Sequence, residues 1–256
     1  MPPVLSIIIP CYNHGEYLKD ALLNIEQLKN NERYEIIIVN DGSTDADTLL
    51  VLEKLQEQGY TILHQQNQGL ATARNNGIEL CKGNYFIPLD ADNKIRQAYI
   101  EKGISILDKN PDVAIVYGDA MYFGDKSGIM KSRKFDLLRL LRGNYIDACV
   151  VARKTTWQQV GGYDKNISPI ADWDFNISIA EAGWKLYYIP EILFDYRVRS
   201  DSMIRTYADQ YDFCKEYLTK KHARLYRKWF MYQASLKGQI RLLMRDLWLR
   251  LTFRYK

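Results

Sequence analysis

Cysteine and histidine are scarce and scattered in this chain. Its four cysteines, Cys11, Cys81, Cys149 and Cys214, form no CxxC pair, and its three histidines, His14, His64 and His222, stand at no zinc-ligand spacing from them. That pattern argues against a disulfide framework or a structural zinc site and for reduced, mostly buried thiols in the cytoplasm. No run approaches about 18 consecutive apolar residues, so no membrane-spanning helix is expected. The opening MPPVLSIIIPCYN lacks a basic region and its apolar run stops at Pro10, which is not a signal-peptide pattern. GxGxxG, GxxxxGK[ST] and GxSxG are all missing, which removes the main support for a dinucleotide oxidoreductase, a P-loop enzyme or a serine hydrolase. Nothing in the bulk composition is extreme either. A chain of 256 residues, 47% hydrophobic and 26% charged, suits a globular protein with a sizeable core rather than a disordered or coiled-coil one.

What the chain does have is a lopsided charge distribution. Residues 220–256 carry 11 Lys/Arg and a single acid, Asp246, a local sum of +10, whereas the remainder sums to −6. An acidic body with a basic tail points to a polyanionic partner for the tail.

Along the body, short β-branched runs alternate with amphipathic segments. Strands are expected at 4–10, 34–40, 60–63, 85–89 and 113–117, and helices at 16–28, 44–58, 70–81 and 97–107. Continuous apolar strands separated by helices of this length imply an α/β fold, a mostly parallel sheet with helices on both faces. Beyond about Met121 the pattern breaks into short elements. A helix is expected over 172–182, extended segments over 187–189 and 192–196, and helix from Met203 to the end. The boundaries are a domain over 1–215 and a basic amphipathic helical tail over 216–256.

Three polar clusters follow apolar strands, where open α/β sheets hold nucleotides. They are Pro10-Cys11-Tyr12-Asn13, Asn40-Asp41-Gly42-Ser43-Thr44-Asp45 and Asp90-Ala91-Asp92-Asn93. Asp90 and Asp92 can project to one side of an extended segment, and paired hard oxygens suit Mn2+ or Mg2+ shared with substrate phosphates. With 20 Asp in the chain, about 1.6 Asp-x-Asp spacings arise by chance. Of the three present, only Asp90/Asp92 ends an apolar strand. Asp41 is either a turn and cap residue or an acceptor for a nucleobase imide, and Asp45 is a cap. Arg74 can face a diphosphate, pair with a strand-end carboxylate, or be a solvated surface cation.

Taken together, LSIIIPCYN (5–13), EIIIVNDGSTD (35–45), NQGLATARNNGI (67–78), GNYFIPLDADN (83–93), VGGYD (160–164), ADWDF (171–175) and DYRVRSDSM (195–203) resemble the family 2 glycosyltransferases, which have a GT-A fold and invert the sugar linkage. The resemblance covers roughly residues 4–205. It implies a metal-dependent transfer of a hexose or N-acetylhexosamine from a UDP-sugar to a glycan or lipid-linked acceptor in cell-surface polysaccharide synthesis. Pro10, Tyr12 and Asn13 would line the base pocket and Asp41 would take the uracil imide. Arg74 would support the base or diphosphate. Asp90, beside Ala91, would hold the ribose side and share the metal with Asp92. Asp172 would be the catalytic base, and Gly161, Gly162 and Tyr163 would border the acceptor. Asp172 at a helix start could instead be an N-cap, and Trp173 either stacks on a sugar or belongs to the core. Three positions depart from the common pattern: Ala171 for Glu, Ser178 for Arg, and Arg199 for a His. The last leaves a metal or phosphate contact open, although Arg199 could clamp the diphosphate.

The tail places Leu236, Ile240, Leu243, Leu247 and Leu251 at helical spacing beside Lys237, Arg241 and Arg245, with Trp229, Phe230, Trp248 and Phe253 nearby. Such a helix suits the anionic inner face of a membrane, or else packs its stripe on the domain or on a second copy. Nucleic acid is not the expected partner, since no recognition motif accompanies the charge. Two other functions remain for the whole chain. A nucleotidyltransferase would need a Gly-rich phosphate loop after the first strand, which PCYNHGEY does not supply. A non-catalytic nucleotide-sugar-binding scaffold would bind donor but turn none over.

Overall fold

The computed structural model describes residues 3–29, 33–199, 210–235, 239–241 and 243–244. The chain divides into two compact units, Met1–Cys214 and Lys215–Lys256.

In the larger unit, β1 (Leu5–Cys11), β2 (Tyr34–Asp41), β3 (Thr61–Gln65) and β4 (Tyr85–Pro88) alternate with α1 (Gly15–Glu26), α2 (Ala46–Glu57) and α3 (Leu70–Leu80). All pairings among these strands are parallel, and β1 lies between β2 and β4. Every residue of β1 is buried, which is why LSIIIPC shows no polar alternation. Pro10 is tolerated because β4 pairs only as far as Ile8, so the missing N–H falls past that ladder. α3 sits unusually close to this layer. A methyl group on Gly77 would lie 2.5 Å from the Ile8 side chain and 2.9 Å from that of Val39.

The second half adds β5 (Lys94–Ile95), α4 (Gln97–Lys109), β6 (Val113–Gly124), β7 (Gly128–Met130), α5 (Leu137–Leu140), β8 (Val151–Arg153), α6 (Lys154–Val160), a 3-10 turn (Lys165–Ile170), α7 (Ala171–Glu181) and β9 (Lys185–Val198). One nine-stranded sheet results, ordered β3-β2-β1-β4-β8-β6-β9-β5, with β7 on β6. β8 is antiparallel to both β4 and β6, whereas β6 and β9 are parallel. The parallel α/β half is as the sequence implies, and the antiparallel additions make the whole sheet mixed.

Two strands run further than their sequence pattern. β6 continues past Tyr117 to Gly124, and the segments expected at 187–189 and 192–196 are one strand. The register jumps from Gly118↔Ile189 to Asp119↔Ile192, so Pro190 and Glu191 form a bulge, where a residue without an N–H costs no ladder bond. All four cysteines are buried and unpaired. Asp45 caps α2 as expected, accepting from the Thr48 N–H at 2.8 Å.

The smaller unit contains most of α8 (Tyr211–Lys221) and all of α9 (Ala223–Ala234). Of the expected apolar stripe, Ile240 and Leu243 are described and both are exposed. Leu236, Lys237, Arg245, Leu247, Trp248, Leu251 and Phe253 lie outside the described residues, as does the expected helix start at 203–209. Among the described residues no helix is long and apolar enough to cross a membrane.

Candidate active site

Parallel pairing in the order β2-β1-β4 brings the three polar strand ends side by side. After β1 the chain turns through Asn13, whose φ of 55° is the left-handed conformation that Asn tolerates best among side-chain-bearing residues. Its Oδ1 accepts from the N–H groups of Thr44 (2.8 Å) and Asp45 (3.0 Å), and its own N–H donates to Ser43 Oγ at 3.1 Å. The Asn13 amide oxygen therefore ties the β1 turn to the β2 turn. Asn40 reinforces that turn by accepting from the Ser43 N–H at 2.9 Å. Pro10 and Ala91 are buried, while Tyr12 is 44% exposed and presents a ring at this edge.

Asp41 is almost fully buried and accepts three hydrogen bonds. Oδ1 takes the Gln65 amide (2.7 Å) and the Gln68 N–H (2.8 Å), and Oδ2 takes the Gly69 N–H (2.9 Å). Its carboxylate thus secures the loop that leads into α3, a long-range role, whereas the cap of the helix that follows it in sequence is Asp45. A carboxylate has about four acceptor positions, so one remains for a ligand. Gly42 permits the close approach, since at φ +71° any side chain there would meet the Asn67 backbone at 2.5 Å.

Arg74, one turn into α3, is 4% exposed and donates to Asp90 Oδ1 at 2.7 Å. Of its three alternatives, the strand-end carboxylate is realised. Burial opposes its charge, but Asp90, Tyr163 and Asp172 outweigh that and hold its pKa above the ordinary value. Asp92 is pushed up to about 6, first by burial and then by the Asp90 charge, with Arg199 and Arg197 acting the other way. The end of β9 and the residue that follows it supply those two cations. Arg197 donates to the Asp92 carbonyl (3.1 Å) and to Asp20 (3.0 Å), and its N–H donates to Asn93 Oδ1 at 2.9 Å. Arg199 lies 3.6 Å from Asp92 Oδ2 and donates to His14 Nε2 at 2.9 Å. Arg199, standing where the family pattern often has a histidine, thus meets a histidine from the β1 turn. No motif in the sequence announces that contact.

On the opposite side, α6 ends at Gly161 (φ +84°) and Gly162 (φ +75°). Asn75 of α3 fastens this loop, accepting from the Tyr163 N–H (2.8 Å) and the Trp157 indole (3.0 Å) and donating to the Tyr163 carbonyl (2.7 Å). Gly161 is exposed and Gly162 buried. Tyr163 is 2% exposed, lies against Phe175 at 4.7 Å with its ring tilted, and has no hydrogen-bond partner for its hydroxyl among the described residues. Asp172 sits in the first turn of α7 and accepts from the Asn144 amide at 2.7 Å. Burial raises its pKa, with Arg74 and the Asn144 hydrogen bond pulling the other way. It does not cap α7, whose N-cap is Ile170. Trp173 requires a correction as an acceptor residue. It is 1% exposed and its indole donates to the Leu140 carbonyl at 2.6 Å, so it is core and offers no face to a sugar.

The carboxylates of Asp90 and Asp92 offer oxygen donors, which suit a hard divalent ion. Among the described residues no three His, Cys, Asp or Glu side chains form a metal cage. Asp90 and Asp92 would therefore supply at most part of a coordination shell, the usual situation for Mg2+ or Mn2+ completed by phosphates and water.

A parallel half-sheet with carboxylates gathered at its strand ends places them at the edge where open α/β sheets commonly take their ligands. The chain matches the model of glycosyl transferase family 2 over residues 6–162, more than half of its length, and it belongs to that family of glycosyltransferases. Among curated relatives it is 27% identical over 211 residues to the putative teichuronic acid biosynthesis glycosyltransferase TuaG of Bacillus subtilis, covering 78% of this chain and 81% of that one. Other relatives are longer, and the chain spans 33% of one and 64% of another. The mannosyltransferase PcManGT of Pyrobaculum calidifontis, solved with GDP-Man and Mn2+, superposes with a TM-score of 0.67 at 18% identity, over 100% of this chain and 82% of that one. S. aureus TarS 1-349 with UDP-GlcNAc gives 0.65 at 16% identity, over 79% and 60%. These likenesses establish the GT-A fold.

Proposed function

We propose that this glycosyltransferase transfers a hexose or N-acetylhexosamine from a UDP-sugar, with a divalent ion and inversion, to a glycan or lipid-linked acceptor in cell-surface polysaccharide synthesis. The observation that carries it is the pair of carboxylates that Arg74 serves: Asp90 at 2.7 Å, and Asp172, within its electrostatic reach and with its pKa raised by burial. Pro10, Tyr12 and Asp41 face the base, Asp41 with its remaining acceptor position. Asp90 and Asp92 hold the diphosphate end, and Mn2+ or Mg2+ bound there would offset the charge of the leaving diphosphate. Arg199 adds a fixed cation beside Asp92. Asp172 accepts the proton of the acceptor hydroxyl as its oxygen bonds to the anomeric carbon. The sugar–diphosphate bond breaks on the opposite face, and its electron pair leaves with the diphosphate. A relative named for teichuronic acid biosynthesis and neighbours solved with UDP-GlcNAc or GDP-Man support the substrate class.

Thermal unfolding with nucleoside diphosphates tests the donor side. At about 100 times its dissociation constant, UDP with Mn2+ is expected to stabilise by about 2.7 kcal/mol, a rise of a few degrees. Asp92→Ala should abolish the manganese-dependent part. No shift with any diphosphate, in a protein that melts cooperatively, sinks the assignment.

The basic tail is proposed to rest on an anionic membrane at the cytoplasmic face. α9 exposes Phe230 (53%) and Met231 (73%) on a helix that also carries Arg224, Arg227 and Lys228. The full chain should sediment with phosphatidylserine vesicles at low salt and be released at high salt. Replacing those three cations with Gln should weaken binding. Equal partition onto neutral phosphatidylcholine vesicles would overturn the electrostatic part.

A further inference from the structure

One carboxylate in the site has no part in the roles above. Asp147 lies in the segment that leads into β8, and β8 runs antiparallel to β4 with Phe86 opposite Ala152 and Tyr85 opposite Arg153. Residues preceding β8 are therefore carried toward those following β4, where Asp90 and Asp92 lie. The same segment reaches the other side of the site through Asn144, which holds Asp172 at 2.7 Å.

Asp147 is fixed in place. Its Oδ1 accepts from the Cys149 N–H at 2.8 Å, while the Cys149 carbonyl accepts from the buried Tyr99 hydroxyl at 2.7 Å. Its other oxygen has no hydrogen-bond partner among the described residues. Asp147 is half-buried and within electrostatic reach of Asp90, Asp172 and Arg74. Burial and those two carboxylates push it up to about 7, against the Cys149 hydrogen bond and Arg74. A second observation points the same way. Two fully buried polar atoms in this cluster, Arg74 Nε and the Tyr163 hydroxyl, also lack partners among the described residues. Buried polar groups are rarely left so, and an unsatisfied set beside a candidate reaction centre fits a polar ligand there.

We propose that Asp147 is a specificity-determining residue for the transferred sugar: its unused oxygen accepts a hydrogen bond from a neutral sugar hydroxyl, and its charge disfavours sugars bearing a carboxylate. This rests on the donor-site reading. With the diphosphate at Asp92 and the acceptor at Asp172, the sugar ring must lie between them, where the Asn144–Cys149 segment passes. A carboxylate there adds hydrogen-bond strength to hydroxyl recognition, and unpaired like charges penalise a uronate.

Calorimetric titration of the full chain with Mn2+ at pH 8, where a carboxyl held near 7 is mostly ionised, can separate the two ideas. The ligands are UDP, UDP-glucose, UDP-N-acetylglucosamine, UDP-glucuronate, GDP and GDP-mannose. The proteins are wild type, Asp147→Asn and Asp147→Ala. Asn can still accept from Cys149, so the loop is preserved in that variant. Wild type should bind its best neutral donor more tightly than the parent diphosphate and should gain nothing from glucuronate. Both variants should keep the diphosphate affinity and lose about tenfold of the sugar-dependent gain, the scale of a charged hydrogen bond. Asp147→Asn should in addition narrow the gap against glucuronate. A sugar gain unchanged in both variants, or absent in wild type, overturns the proposal while leaving the nucleotide site standing. Failure of every diphosphate to bind overturns both.

Discussion

Asp172→Asn is expected to lower kcat by about 10²–10⁴-fold, the usual contribution of a positioned general base, while changing donor affinity less than about twofold. The substitution is nearly isosteric, and its amide oxygen can still accept from Asn144, which donates to Asp172 at 2.7 Å. What disappears is the ability to take a proton from the acceptor hydroxyl. The wild-type pH profile should carry the same information. Burial raises the Asp172 pKa, so the acid limb of kcat/KM should sit above the ordinary carboxylate value of about 3.9. Activity then rises with pH as the base loses its proton and falls as pH drops back through that value. The residual activity of Asp172→Asn should lack this limb. Steady-state kinetics with a labelled donor, paired with calorimetry, reads all three quantities. An Asn variant that turns over like wild type would assign the carboxylate to structure and leave the enzyme without its base.

The strand ends were readable because their cause is local. An apolar run buried on both faces must be apolar throughout, so LSIIIPC and YEIIIVND announce β1 and β2, and the polar residues after them fall at the sheet edge. β8 has three residues and β7 three, too short for any periodicity, and their antiparallel pairing is settled by contacts far along the chain. The single strand β9 was hidden by Pro190, which looks like a break when read alone and is a bulge in the sheet. The site divides the same way. Asp41, Asp90, Asp92 and Asp172 sit in recognisable motifs, whereas Asn144, Asp147 and His14 acquire their place only from strand register and long-range hydrogen bonds. Trp173 shows the converse error, a residue within a site motif whose side chain faces the core. Arg74 was read with three outcomes open, because its partner is a carboxylate 16 residues away on another element.

Arg74→Met is the substitution with the largest expected cost in stability. The guanidinium is 4% exposed and pairs with Asp90, whose side chain is 35% exposed. Removing one partner of a fully buried pair costs about 3–5 kcal/mol, and the partial exposure of Asp90 screens this to about 2–4 kcal/mol. For a chain of this size that is a Tm loss of about 5–12 °C. Met keeps much of the apolar stem, so the loss reports charge more than packing. The pH dependence fixes the cause. Without Arg74, the folded pKa values of Asp147 and Asp172, already raised and partly held down by that cation, rise further above their unfolded ones. A folded state that binds more protons than the unfolded state loses stability as pH rises, until those groups are ionised in both. The gap between Arg74→Met and wild type should therefore be widest near pH 8 and shrink as pH falls toward 5. Arg74→Lys should recover part of it, because a point charge restores compensation without the fork that reaches Asp90. A small deficit that stays flat with pH would mean that the carboxylates are held apart by solvent rather than by Arg74. The shared electrostatic site would then reduce to separate surface acids.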